Sequence, residues 1–181
     1  MSDLEWLDPD ELRVFRALVR STRALYVQFD RDLEGEAGVP RTYFEILWWL
    51  DKQPTRSLRM SDLAELTGSQ ASRITHAVSR LEDLGYVSRT NCAEDRRGWY
   101  AVLTEAGSDK LRVASPVYAA SVRRNLLERL SRAQREQLAR IGETILAGLD
   151  MPHFPSDLST SPRAAERPAG GRAAPEPAVA R

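Results

Sequence analysis

Between Leu12 and Leu33 the side chains of Leu12, Phe15, Val19, Thr22, Tyr26, Phe29 and Leu33 return every three or four residues, the period of an α-helix. A stripe of that length on one helix needs a partner along all of it. Just upstream, Asp8-Pro9-Asp10-Glu11 supplies a capping carboxylate, a proline at the first helical position and an acid at the third. The pattern predicts a long first helix that opens there and stops near Gly35.

Gly38-Val39-Pro40 interrupts the chain, and a second helix is expected over 41–51, ending before Pro54. At about 100° per residue, Tyr43, Ile46, Leu47 and Leu50 share one face while Phe44, Trp48 and Trp49 point elsewhere. A helix apolar nearly all round is normally buried on more than one side. Ser61 is placed to cap a third helix over 62–67, Gly68 to supply a turn, and Ser69 to cap a fourth that runs to about Leu84 before Gly85. Two helices joined by so short a glycine-containing turn have helix-turn-helix spacing. A β-prone run, 86–89, a polar loop, 90–98, and a second run, 99–103, then read as a hairpin with a charged tip. Thr104 is placed to cap a fifth helix that must bend or break at Pro116. Ser131-Arg132-Ala133-Gln134 reads as a capping box opening a sixth, with Leu138, Ile141, Ile145 and Leu149 on one stripe.

Composition narrows the function classes. The 26 Lys and Arg balance the 26 Asp and Glu of the 181 residues, which excludes a generally basic nucleic-acid coat and leaves room for a local basic surface. The longest apolar stretches, such as 44–50, fall far short of the roughly 20 residues of a membrane span, and residues 1–10 are acidic rather than signal-like, so a cytoplasmic protein without a membrane partner is expected. Cys92 is the single cysteine, and with only His76 and His153 beside it no metal site and no metal cofactor are expected. No paired carboxylates, nucleophile with a base, or phosphate loop stand on a plausible scaffold, so no catalytic residue is assigned and an enzyme is not expected.

The informative segment is 60–107. On the fourth helix Ile74, Ala77, Val78, Leu81 and Leu84 make an apolar face, and the opposite face offers Ser69, Ser72, Arg73, His76, Ser79 and Arg80. Arginine, histidine, serine and threonine are side chains that read base edges and phosphates from a major groove. Ser69, Gln70 and the amides of the first turn also suit a phosphate. The alternative is an ordinary amphipathic helix with a solvated face. The hairpin tip tilts the balance, because the pair Arg96-Arg97 on a protruding loop suits the narrow, electronegative minor groove, and Asp95 can hold one of the two.

In this segment the sequence resembles the MarR family of bacterial transcription regulators. The match runs through Leu63-Ala64-Glu65-Leu66, Ser69, Arg80-Leu81-Glu82-Asp83-Leu84-Gly85-Tyr86-Val87, Arg89, Asp95-Arg96-Arg97 and Leu103-Thr104-Glu105-Ala106-Gly107, within a likeness covering about 8–149. The resemblance implies a winged helix-turn-helix held in a homodimer by the first, fifth and sixth helices, binding a palindromic operator and often released by small aromatic ligands. It makes Arg97 the wing arginine and Asp95 its partner, and sets Arg80-Leu81-Glu82 at the end of the recognition helix. His76 departs from the pattern, standing after Thr75 where an arginine is common, which bears on operator sequence.

The expected architecture is mainly α with a small β-wing: a winged helix-turn-helix with a helical dimerisation layer. Residues 1–40 carry the first helix of that layer, 41–104 the DNA-binding module, 105–150 the C-terminal helices, and 151–181 a disordered tail rich in Pro, Ala and Arg. The DNA contacts expected are Ser69, Gln70, Ser72, Arg73, Thr75, His76, Arg80, Asp95, Arg96 and Arg97. Tyr26, Trp48 and Trp49 are the candidates for an aromatic ligand. The function expected is that of a dimeric, sequence-specific regulator of transcription, most often a repressor. A ligand-independent architectural DNA binder and a protein-interaction module are the rivals.

Overall fold

The computed structural model describes residues 6–91 and 99–149. In order come α1 (Pro9–Ala37), α2 (Arg41–Asp51), β1 (Ser57–Arg59), α3 (Met60–Leu66), α4 (Ala71–Asp83), β2 (Val87–Asn91), β3 (Trp99–Leu103), α5 (Glu105–Asn125), a 3-10 turn (Leu127–Arg129) and α6 (Arg132–Ala147). The fold is mainly α with a small antiparallel sheet, as expected. No helix among the described residues is long and apolar enough to cross a membrane. The chain forms two compact units, one holding α1 with the C-terminal part of α5 and most of α6, the other holding α2 through the N-terminal part of α5.

In the first unit α1 opens on the predicted capping box. The Asp8 carboxylate accepts from the amides of Asp10 and Glu11 at 2.8 and 2.9 Å, and Glu11 accepts from the Asp8 amide at 2.8 Å. The helix runs past Gly35 and ends at Ala37, because Gly38 and not Gly35 takes the left-handed conformation (φ 64°) that returns its amide to the Glu34 carbonyl. Phe29, Leu33 and Ala37 are buried, and Phe29 meets Tyr118 of α5 edge to face at 5.6 Å. Nearer the start the stripe is bare: Phe15 and Val19 are about half exposed, as are Leu138 and Ile141 on α6. Ser131 and Gln134 form the expected reciprocal cap of α6.

The largely buried carboxylate of Asp32 anchors α1 to α5. It accepts from the hydroxyl of fully buried Ser121, from Asn125 at 2.9 Å, from Arg124 at 2.8 Å and from Gln28 of its own helix at 2.8 Å. The Ser121 hydroxyl above all, with Gln28 and Arg124, holds this carboxyl below its ordinary value against the opposing effect of burial.

α5 continues through Pro116 as one helix, so of the expected bend or break the break does not occur. Pro116 and Arg112, whose carbonyl loses its helical partner at the proline, are both exposed residues, so the proline lies on a side of the helix open to solvent.

In the second unit the sheet has the order β1-β3-β2, with Leu58 opposite Ala101, and Val87, Arg89 and Asn91 opposite Leu103, Ala101 and Trp99. Strand alternation gives one face to Leu58, Val87, Arg89, Ala101 and Leu103, and that face is the buried one, Arg89 being half-buried. β1 was not anticipated, since three residues are too short to display an alternation. β2 extends through Thr90 and Asn91, two residues beyond the expected run, because both pair with β3. Phe44, Ile46, Leu47, Trp49 and Leu50 of α2 are all buried, which takes in Phe44 and Trp49 on the two flanks of the face carrying Ile46 and Leu47.

Candidate nucleic-acid interface

The helix-turn-helix is built by backbone geometry more than by side-chain caps. α3 begins at Met60 behind Arg59, and Ser61 does not cap it but donates to the neighbouring Asp62 carboxylate. Gly68 takes φ 59° in the turn, and the Ser69 amide returns to the Ala64 carbonyl at 2.9 Å. The cap residue of α4 is Gln70 rather than Ser69, and no side chain bonds its first amides. The serine stands one residue too early, its hydroxyl directed to the Thr67 carbonyl at 3.4 Å. The first-turn amides of α4 therefore keep their partial positive charge open to an anion.

Ile74, Ala77, Val78 and Leu81 are buried on the inner face of α4, but Leu84, expected beside them, is 53% exposed because it lies in the cap beyond the helix. Gln70, Ser72, Arg73, Thr75, His76 and Arg80 are exposed, and Ser69 and Ser79 half-buried. At 100° per residue Ser72, Arg73, Thr75, His76, Ser79 and Arg80 fall within an arc of about 160° opposite the apolar face, with Ser69 ahead of the helix. Their commitments differ. The Thr75 hydroxyl donates to the Ala71 carbonyl at 2.9 Å, leaving it a methyl group and lone pairs to present. Arg80 faces Asp83 at 3.6 Å, an exposed pair of little strength. Arg73 and His76 have neither hydrogen bond nor ion pair with other described residues, so their donors are available to a partner.

The hairpin strands stand beside this helix, while Asp95, Arg96 and Arg97, with Cys92, lie outside the described residues. What joins hairpin to helix is Arg89, which sequence reasoning quoted only as part of a match. Its Nη2 donates to the Thr75 carbonyl at 3.1 Å, and its Nε lies 3.3 Å from the Glu82 carboxylate, so one guanidinium holds two points of α4. The available signal was an arginine two residues after buried Val87, on the inward side of the strand.

The hairpin's other end is sealed at the start of α5. Thr104 donates its amide to the Tyr86 carbonyl at 3.1 Å and its hydroxyl to the Gly85 carbonyl at 2.7 Å, while the same hydroxyl accepts from the Gly107 amide at 3.0 Å. A side chain at Gly107 would overlap the Tyr86 carbonyl oxygen. The Leu-Thr-x-x-Gly run is thus a seam that needs a hydroxyl at one position and no side chain three residues later.

The aromatic candidates separate by burial. Trp49 is 6% exposed, and Trp48 is half-buried, with the two rings edge to face at 4.9 Å and the Lys52 ammonium 5.5 Å from the Trp48 ring. In the other unit Tyr26 is about half exposed beneath the Arg41 guanidinium, 4.5 Å from the ring centroid, on an open apolar shelf with Leu18, Val19 and Val27.

A helix-turn-helix whose second helix is flanked by an antiparallel hairpin is a winged-helix module. The chain belongs to the MarR family. The family's sequence profile matches residues 37–98. Over the fold as a whole the chain is 35% identical to Sco3205, a MarR family transcriptional regulator of Streptomyces coelicolor solved in complex with DNA, with 88% of this chain and 99% of that one covered and a TM-score of 0.75. AbsC, a MarR family transcriptional regulator of the same organism, is also 35% identical, with 80% and 97% covered and a TM-score of 0.72. The transcriptional repressor MprA of Escherichia coli K12 is 31% identical over 113 residues, 62% of this chain, and the chain spans 64% of that repressor's length.

Proposed function

We propose that this protein is a dimeric, sequence-specific DNA-binding regulator of transcription that represses by occupying a palindromic operator. The observation that carries the reading is the exposed face of α4, where Arg73 and His76 stand uncommitted opposite a fully packed apolar face. In this reading Ser72, Arg73, Thr75, His76 and Arg80 meet the major groove, Ser69 and Gln70 with the first-turn amides hold a phosphate, and Arg96 and Arg97, with Asp95 orienting one of them, enter the minor groove. The bare apolar surface of α1 and α6 supports a second copy as partner.

A binding selection on random duplexes tests the reading, followed by substitution. Arg73→Ala and His76→Ala each relax preference at particular base pairs, at a cost of roughly 1 to 3 kcal/mol where a base contact is lost. Arg97→Ala weakens binding to every duplex and flattens its salt dependence. Equal losses on cognate and random DNA for all three variants would remove the division of labour between helix and wing. A salt-independent affinity would favour the protein-interaction rival.

The proposal extends to release by a small aromatic ligand. Tyr26 under Arg41 offers an aromatic surface beside a cation, which suits an aromatic acid. The burial of Trp49 favours the ligand-independent reading, because a core tryptophan lines no cage. A panel of aromatic acids separates the two: an effector lowers operator affinity by the factor by which it prefers the DNA-free protein. A panel that leaves operator affinity unchanged selects the ligand-independent regulator.

A further inference from the structure

Trp99 is the first residue of β3 and is 47% exposed. By strand alternation it shares a sheet face with Ala101 and Leu103, which are buried, and with Val87 and Arg89 across the register. That face is turned toward α4, because the Arg89 side chain leaves it to reach Thr75 and Glu82. Trp99 stands one pleat, about 7 Å, beyond Ala101, the cross-strand partner of Arg89, in the direction of the hairpin tip. The hydrophobic face of the sheet thus ends in an indole that the core does not cover, on the side where the base-reading helix lies.

We infer that Trp99 is a DNA contact, its ring packed against a deoxyribose and its Nε1–H donated to a phosphate of the strand running between the groove read by α4 and the groove reached by the wing. The inference rests on the DNA-binding reading above and adds to it a contact of a different chemical kind. An indole is a flat apolar body with one donor and no acceptor, which matches a sugar flanked by phosphate oxygens. It carries no charge, so it adds affinity on every sequence without releasing counterions. Arg89 bears on this contact indirectly, since it fixes the strand pair against α4 and so sets where the indole stands.

The test uses the full chain, the duplex recovered by selection and a random duplex. Trp99→Ala is expected to weaken binding to both by about tenfold, the loss of one hydrogen bond to a charged group, with the slope of affinity against salt unchanged. Trp99→Phe keeps an aromatic face but lacks the N–H, and falls between wild type and Trp99→Ala. Fluorescence gives a second readout: part of the emission change on adding DNA to the wild type disappears in Trp99→Phe, although Trp6, Trp48 and Trp49 remain. Wild-type affinity in Trp99→Ala, or an undiminished emission change in Trp99→Phe, overturns the inference while leaving the DNA-binding reading intact. A wild-type protein that binds neither duplex overturns both.

Discussion

At Gly107 the first turn of α5 passes so close to the Tyr86 carbonyl that a single methyl group would force the two backbones apart. Backbone cannot retreat as a flexible side chain can, so Gly107→Ala should destabilise the protein by about 2 to 4 kcal/mol, read from urea unfolding. Asp32 is the corresponding case for a charge. Its carboxyl is held below the ordinary value of 3.8, so its contribution is fully present above that pH and is lost as pH falls through the lower native value. Asp32→Asn keeps the shape but loses the charge, and should cost roughly 1 to 3 kcal/mol near neutrality. The gap to wild type should then narrow once pH drops below 3.8. A gap that stays constant down to low pH would mean that shape, not ionisation, is what Asp32 contributes.

Among the helices, the position of a serine decides whether it is a cap. Ser131 accepts from the Gln134 amide, whereas Ser61 and Ser69 are not the cap residues of α3 and α4. Ser131→Ala should therefore cost about 1 kcal/mol, and Ser61→Ala and Ser69→Ala should each stay within about 0.5 kcal/mol in thermal or urea melts. The sequence displayed the long helices, the glycine turn and the hairpin because each repeats a period or ends on a residue of special geometry. It did not display β1, whose three residues join the sheet only through β3, nor the passage of α5 through Pro116, which depends on the proline facing water. Cap identity slipped by one residue at α4, from Ser69 to Gln70, and by two at α3, from Ser61 to Arg59, because only backbone angles select the cap among neighbouring residues. The α4 face was readable from its 3.6-residue period. The role of Arg89 was not, since it follows from a register and a neighbour that no local pattern encodes.

For the molecule as a whole, the bare surface of α1 and α6 is the feature with the largest consequence. Phe15, Val19, Leu138, Ile141 and Ile145 are each more than 40% exposed, and apolar patches of this kind mark association in soluble proteins. Sedimentation should give twice the mass of the 20.4 kDa chain. A chain ending at Asp150 should give the same association state. Ile141→Glu should yield monomers, with operator affinity falling alongside. Operators should carry half-sites about 10 base pairs apart, so that two recognition helices meet one side of the duplex. A wild-type monomer at micromolar concentration would remove the reason for a palindrome.

The grip of Arg89 on α4 uses the carbonyl of Thr75 and the carboxylate of Glu82, and so spares Ser72, Arg73 and His76 altogether. If these residues choose bases as proposed, they can change without disturbing the bracket that sets the spacing between helix and hairpin. A lineage carrying this bracket is free to drift in the words it reads while the caliper that measures the width of the page keeps its setting. On the proposed reading, new operators are then reached by single steps on an otherwise unaltered tool.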